Sequence, residues 1–350
     1  MQPRSLARTF GAALLLLAGA MANAQPPEKR AAVKGGLTPA DWAYTIPDGV
    51  TKREVTYYSD EVGCYAVLFL PRNFSANGKT PGVVLGHGWA GTHNSIEKYG
   101  ARLAEKGLVA MVIDYRGWGR SDGFATLADR GPAERAKNTD DVRYVHTSAE
   151  VVIKRTRLIP MKQVEDVRSA ISWLQGEPGV DPDRIGVWGS SFAAGNSIVV
   201  GALDARVKAI SVQVPAISGK NAPTGAMPLG GRLLEDAIMR ARTGQGAEFE
   251  TGFSTRRTVD VETSQMVAEY RPFRYLKDVG DRPVQFIVAA NEELFSNKDN
   301  AYAAAEVLTG PTKVIEVPNT THFEMYIDAA FEISSNAAAD WFLEHLGAVK

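Results

Sequence analysis

The chain has 350 residues, 45% of them hydrophobic and 23% charged, with a formal net charge of −1. The near-neutral balance excludes a nucleic-acid binder or a polybasic membrane-surface protein. The hydrophobic content suffices for the core of one large α/β domain or two small ones. Cys64 is the single cysteine, which excludes an intramolecular disulfide and a paired-cysteine metal site.

Residues 1–24 read as a secretory signal peptide. Arg4 and Arg8 supply a short positive region, Phe10 to Ala20 an apolar run, and Ala22-Asn23-Ala24 the small residues of a peptidase site. Cleavage is expected after Ala24. The apolar run is too short for a bilayer core of about 30 Å, and no cysteine follows it for lipid attachment. No later stretch is long and apolar enough to span, so the expectation is a secreted or periplasmic protein without stable membrane insertion. Residues 25–52 are rich in Pro, Gly, Ala and Lys and read as a loose N-terminal leader. The folded domain is expected over 53–350.

Val55 to Tyr58 and Cys64 to Leu70 are β-branched or aromatic runs that predict a leading hairpin, with Cys64 a buried strand residue. Pro81 to Gly86 is a short continuous apolar run, as a strand covered on both faces requires. A helix is predicted near Ser95–Lys106, a buried strand at Leu108–Ile113, and a helix through Met161, Val164, Val167, Ala170, Ile171 and Leu174. Arg184 to Trp188 predicts a strand, Ser191 to Leu203 a helix, and Val207 to Val212 a strand. Val284–Ala289, Asp299–Leu308, Lys313–Val317 and Ala329–Leu346 then predict strand, helix, strand, helix. This alternation predicts an α/β fold, a mostly parallel sheet with helices on both faces. Two segments break the rhythm. Phe124 to Pro160 is polar and charged. Residues 216–282 separate two core strands by far more than a normal connection; an amphipathic stretch there (Leu229, Leu233, Leu234, Ala237, Ile238, Ala241) is read as a helical lid or cap.

Gly189-Ser190-Ser191-Phe192-Ala193 lies between a predicted strand and an Ala-rich helix, the setting in which a tight turn exposes a nucleophile. The residues two before and two after that nucleophile nearly touch and must be small. Gly189 and Ala193 satisfy this for Ser191, whereas Trp188 and Phe192 would clash around Ser190. Ser191 is therefore the candidate nucleophile. A serine needs a base, and of the five histidines only His322 follows the last strand and precedes the last helix. The carboxylate that orients the base is expected just after Val284–Ala289, where Glu292 is chosen and Glu293 is the alternative. Two backbone N–H groups should form an oxyanion hole, one from Phe192 and one from Trp89 in the loop His87-Gly88-Trp89-Ala90-Gly91. His87, Trp118 and Phe295 are candidate pocket residues, with His87 read as a loop brace rather than a base.

At these residues the sequence resembles the α/β-hydrolase superfamily over about Arg53 to Leu346, closest to dienelactone-hydrolase-like esterases and their peptidase-related cousins. The stretches that carry the resemblance are Gly86-His87-Gly88, Asp114 to Ser121, Asp181 to Ile185 leading into Gly189-Ser190-Ser191, Glu292 to Phe295, and Thr321-His322-Phe323. The resemblance implies the α/β-hydrolase fold and metal-free, cofactor-free hydrolysis of a small-molecule ester through an acyl-enzyme. A cysteine nucleophile, as in dienelactone hydrolase itself, is absent here. Gly117 and Gly119 do not continue into a dinucleotide fingerprint, because the third glycine, Gly123, falls one position late. The competing readings are a peptidase or amidase and a non-catalytic binding protein on the same fold.

Overall fold

The continuous apolar runs become the centre of one sheet. The computed structural model describes residues 37–89, 91–128, 148–219, 231–250 and 258–347, and among these residues there are twelve strands and eight α-helices. The expected signal peptide and residues 25–36 lie outside the described residues. The strands are β1 (Thr51–Ser59), β2 (Val62–Leu70), β3 (Thr80–Gly86), β4 (Val109–Ile113), β5 (Phe124–Leu127), β6 (Val151–Lys154), β7 (Val180–Ser190), β8 (Val207–Gln213), β9 (Glu248–Glu250), β10 (Thr258–Asp260), β11 (Val284–Ala289) and β12 (Thr312–Val317). The helices are α1 (Glu97–Glu105), α2 (Pro160–Gln175), α3 (Phe192–Leu203), α4 (Gly231–Thr243), α5 (Val261–Glu269), α6 (Leu276–Val279), α7 (Ala303–Val307) and α8 (Asp328–Leu346).

Eight strands form the main sheet in the order β1-β2-β4-β3-β7-β8-β11-β12. β2 runs antiparallel to both neighbours, and every other adjacent pair is parallel. β3, β4 and β11 are buried at every residue, because helices cover both faces and leave no side for polar alternation. Val84, Met111 and Val187 face one core with α2 and α3. Their neighbours Val83, Leu85, Val112 and Trp188 face the other, with α1 and α8. The loops at the C-terminal ends of β3, β7, β11 and β12 therefore open at one edge of the sheet, where ligands bind in open α/β folds.

Three expectations change. First, the described part of 25–52 is not loose. Pro39–Trp42 forms a helical turn, begun by Thr38, whose N–H and hydroxyl both donate to Asp41 at 2.8 and 2.7 Å. Leu37, Trp42, Tyr44 and Val50 pack against the α1–α8 core, so their apolar surface outweighs the loop-like composition around them. Second, β5 and β6 form an antiparallel hairpin inside the polar stretch 124–160. Third, part of the described 216–282 segment packs against α2 and α3. The Tyr270 hydroxyl donates to Asn196 Oδ1 at 3.0 Å, and Phe249, Val259, Val261 and Val267 join the α2–α3 core.

Candidate active site

The turn between β7 and α3 holds Ser191 at φ 58°, ψ −118°. A side chain in that region costs of order 1–3 kcal/mol and persists only where its surroundings impose it. Here they do. The Ser191 N–H donates to the Gln213 carbonyl at 2.9 Å, and the Ser191 carbonyl accepts from Ala194 and Ala216 at 3.1 and 3.2 Å. A Cβ on Gly189 would run into the Ala193 carbonyl and Ser197 Oγ, which is the close approach expected of the small residues flanking the turn. Ser190 points the other way, fully buried, with its Oγ 2.6 Å from the Tyr326 hydroxyl.

His322, in the loop after β12, brings Nε2 to 3.1 Å from Ser191 Oγ. Its Nδ1 faces Glu292, 2.9 Å from Oε1 and 3.0 Å from Oε2. Glu292 Oε1 also accepts the N–H groups of Leu294 and Phe295 at 3.0 and 3.3 Å, so the carboxylate is fixed by its own loop. The neighbouring Glu293 does something different: its Oε2 accepts the backbone N–H of His322 at 2.7 Å. One glutamate thus faces the imidazole ring and the other holds the chain that carries it. The His322 and Glu292 side chains are 3% and 2% exposed, a low-dielectric setting that strengthens the contacts between them.

The loop after β3 lies against this array. A Cβ on Gly88 would fall 2.9 Å from Ser191 Cβ, so glycine is what lets the loop reach the serine. Trp89 follows, its ring edge-on to Phe192 at 5.7 Å. Phe192 is the first residue of α3, where backbone N–H groups have no intrahelical acceptor. The two residues expected to supply oxyanion donors therefore flank Ser191 on adjoining elements.

Asp114, at the end of β4, braces the same loops. It accepts the backbone N–H of His93 at 2.7 Å and that of Arg120 at 2.8 Å, and lies 2.6 Å from His93 Nδ1. Burial opposes its ionisation, yet these contacts hold its carboxyl below the usual carboxylate range. His93 itself is buried. Nearby, buried Arg116 grips buried Asp166 through its side chain at 2.7 and 2.8 Å and through its backbone N–H at 3.0 Å.

The array opens into a cavity of about 640 Å³. Beside Ser191 and His322 its walls are Gly88, Trp89, Phe192, Leu294, Phe295, Phe323 and Tyr326, together with Gly91, Thr92, Asn94, Ser95 and Glu97. Phe295 is thus a lining residue. His87 and Trp118 are not. They are 1% and 3% exposed and pack against each other at 6.1 Å, behind the loop that turns Trp89 toward the cavity. His87 Nδ1 folds back to the Gly88 carbonyl at 2.9 Å. The remaining wall is Leu37, Pro39, Trp42, Ala43 and Tyr44, which sequence reasoning missed; the signal was two aromatic residues in a stretch of small ones. Among the described residues, none of 216–282 lines the cavity, and no helix is long and apolar enough to cross a membrane.

The family model of the dienelactone hydrolase family matches residues 65–221, which include the Trp89 loop and the Ser191 turn. The quorum-quenching protein AidA of Acinetobacter baumannii is 25% identical over 311 residues, 80% of this chain and 90% of that protein. Among solved structures, a hypothetical protein from Pseudomonas aeruginosa superposes with a TM-score of 0.68 at 19% identity, covering 89% of this chain and 99% of the other. Est1E from Butyrivibrio proteoclasticus, solved with ferulic acid bound, superposes with a TM-score of 0.59 at 16% identity, over 83% and 99% of the two chains. With this sheet order and these neighbours the chain has the α/β-hydrolase fold, and its residues 65–221 resemble the dienelactone hydrolase family.

Proposed function

We propose that this protein is a serine hydrolase that cleaves carboxylic esters through an acyl-enzyme. The reading is carried by one observation: a strained serine turn whose Oγ is 3.1 Å from His322 Nε2, with Glu292 on the opposite ring nitrogen. In this mechanism His322 takes the Ser191 proton as Oγ attacks the ester carbonyl carbon. Glu292 accepts the Nδ1–H, fixing the tautomer that leaves Nε2 free to accept, and stabilises the imidazolium. The N–H groups of Phe192 and Trp89 receive the charge that develops on the carbonyl oxygen. The intermediate collapses, and the alkoxide leaves as an alcohol with the proton from His322. A water deprotonated by His322 then attacks the acyl carbon; the acid departs and Ser191 regains its proton. Glu293 acts as a positioning residue through the His322 backbone.

The test is labelling with a fluorophosphonate probe together with turnover of an activated ester. Wild type is expected to label at Ser191 and hydrolyse the ester. A folded protein that does neither would leave the binding-protein reading in its place. We also infer export with cleavage after Ala24, for which N-terminal sequencing of protein recovered outside the cytoplasm is expected to begin at Gln25; recovery with Met1 intact would overturn it.

A further inference from the structure

We propose that the strap Leu37–Tyr44 is the specificity wall of this cavity, selecting esters that carry a bulky uncharged apolar group, aryl or medium-chain, over acetyl-sized or carboxylate-bearing ones. This rests on the ester reading and adds the substrate class and the residues that set it.

The strap is built in rather than draped across. The Tyr44 hydroxyl donates to Glu97 Oε2 at 2.8 Å, and Lys52 Nζ donates to the same oxygen at 2.7 Å. Lys98 Nζ donates to the Asp41 carbonyl at 2.9 Å and lies 5.8 Å from the centre of the Trp42 ring. Both anchors, Glu97 and Lys98, sit in the first turn of α1. Trp42 meets Tyr326 edge-on at 5.8 Å, and Tyr326 lies 6.4 Å from the His322 ring. The wall is thus two ring contacts from the imidazole.

Size and chemistry then select the occupant. A cavity of about 640 Å³ matches pockets that bury a drug-sized apolar ligand, and an acetyl group would leave most of it unfilled. Each methylene moved from water onto such walls strengthens binding about fourfold. A carboxylate on the substrate would be stripped of water among Trp42, Phe295 and Phe323. The one buried acid on that wall, Glu97, already engages Lys52, so this cation is not available to a second anion.

The experiment measures kcat and KM of the full-length protein on p-nitrophenyl acetate, butyrate, octanoate, 3-phenylpropanoate and hemisuccinate. Wild type is expected to gain about fourfold in kcat/KM per methylene from acetate to butyrate, to favour octanoate and phenylpropanoate further, and to accept hemisuccinate at least about tenfold less well than butyrate. In Trp42→Ala the octanoate-to-acetate ratio of kcat/KM should fall about tenfold or more, through KM, with Trp42→Phe recovering most of it. A ratio within about twofold of wild type, or an equal loss on both esters, would overturn the wall. If Trp42→Ala does not fold, Tyr44→Ala serves: it removes a lining ring of the same strap, and an unchanged ratio there overturns the proposal equally. A folded wild-type protein inert toward every ester would sink the ester reading itself, a result distinct from failure of the wall.

Discussion

Replacing Glu292 with glutamine changes one atom and separates orientation of the base from everything else in the site. Glu292 Oε1 accepts Leu294 N–H, Phe295 N–H and His322 Nδ1, at 3.0, 3.3 and 2.9 Å. A glutamine keeps the loop by putting its carbonyl oxygen in that place. Its NH₂ group then takes the Oε2 position, 3.0 Å from Nδ1, where a donor faces a donor and leaves only the amide oxygen, already shared by two N–H groups, to accept Nδ1–H. The imidazole relieves the conflict by carrying its proton on Nε2, which can then only donate toward Ser191 and cannot accept its proton. The expected loss is about 10³–10⁴-fold in kcat, or roughly 4–5.5 kcal/mol of transition-state stabilisation. Steady-state turnover of an activated ester near neutral pH measures it, with thermal unfolding as the control for folding. Glu293→Gln is the companion. Its amide oxygen can still accept the His322 backbone N–H, so its loss should stay within about tenfold. A folded Glu292→Gln enzyme losing less than about tenfold, or the two variants in reverse order, would refute the assignment of the orienting acid.

Ser191→Ala should remove nearly all turnover while Ser190→Ala retains it and loses about 1 kcal/mol of stability with the Tyr326 hydrogen bond; equal loss of activity in both would sink the choice of nucleophile. Arg116→Met strips the buried Asp166 of its guanidinium and should cost about 3–5 kcal/mol in denaturant unfolding; a change below about 1 kcal/mol would mean Asp166 is already neutral. Burial pushes Lys98 down to about 8, against the attraction of Asp41, Asp328 and Glu332. The unfolded chain therefore holds more protons at this site between about pH 8 and 10.4, and stability rises with pH across that window. Thermal midpoints of wild type minus Lys98→Met should climb between those values, and a flat difference would show that Lys98 does not titrate early.

The parts legible in the sequence were those encoded by neighbours in the chain. β3, β4 and β11 announced themselves as unbroken apolar runs, and Gly189 with Ala193 marked the Ser191 turn because its crowding is local. The loop after β11 was identifiable, but two adjacent carboxylates could not be told apart there. Which one faces the ring depends on the turn at Ala289–Phe295, where Glu292 receives two backbone N–H groups and Glu293 reaches across to His322. The strap was hidden for the opposite reason. Tyr44 finds its partner at Glu97 and Trp42 finds its own at Tyr326, and no short-range pattern records such pairings. His87 and Trp118 were misplaced because composition reports that a loop is aromatic without reporting which ring turns inward.

The dienelactone hydrolase match ends at residue 221 and begins at 65, so it covers the serine platform but neither Leu37–Tyr44 nor the His322 loop. Two chains can therefore share that platform while differing in the chamber above it. An eight-residue segment that crosses no strand of the main sheet, yet is tied to the first turn of α1 through Tyr44 and Asp41, can change the chamber only together with the partners that hold it, Glu97, Lys98 and Tyr326.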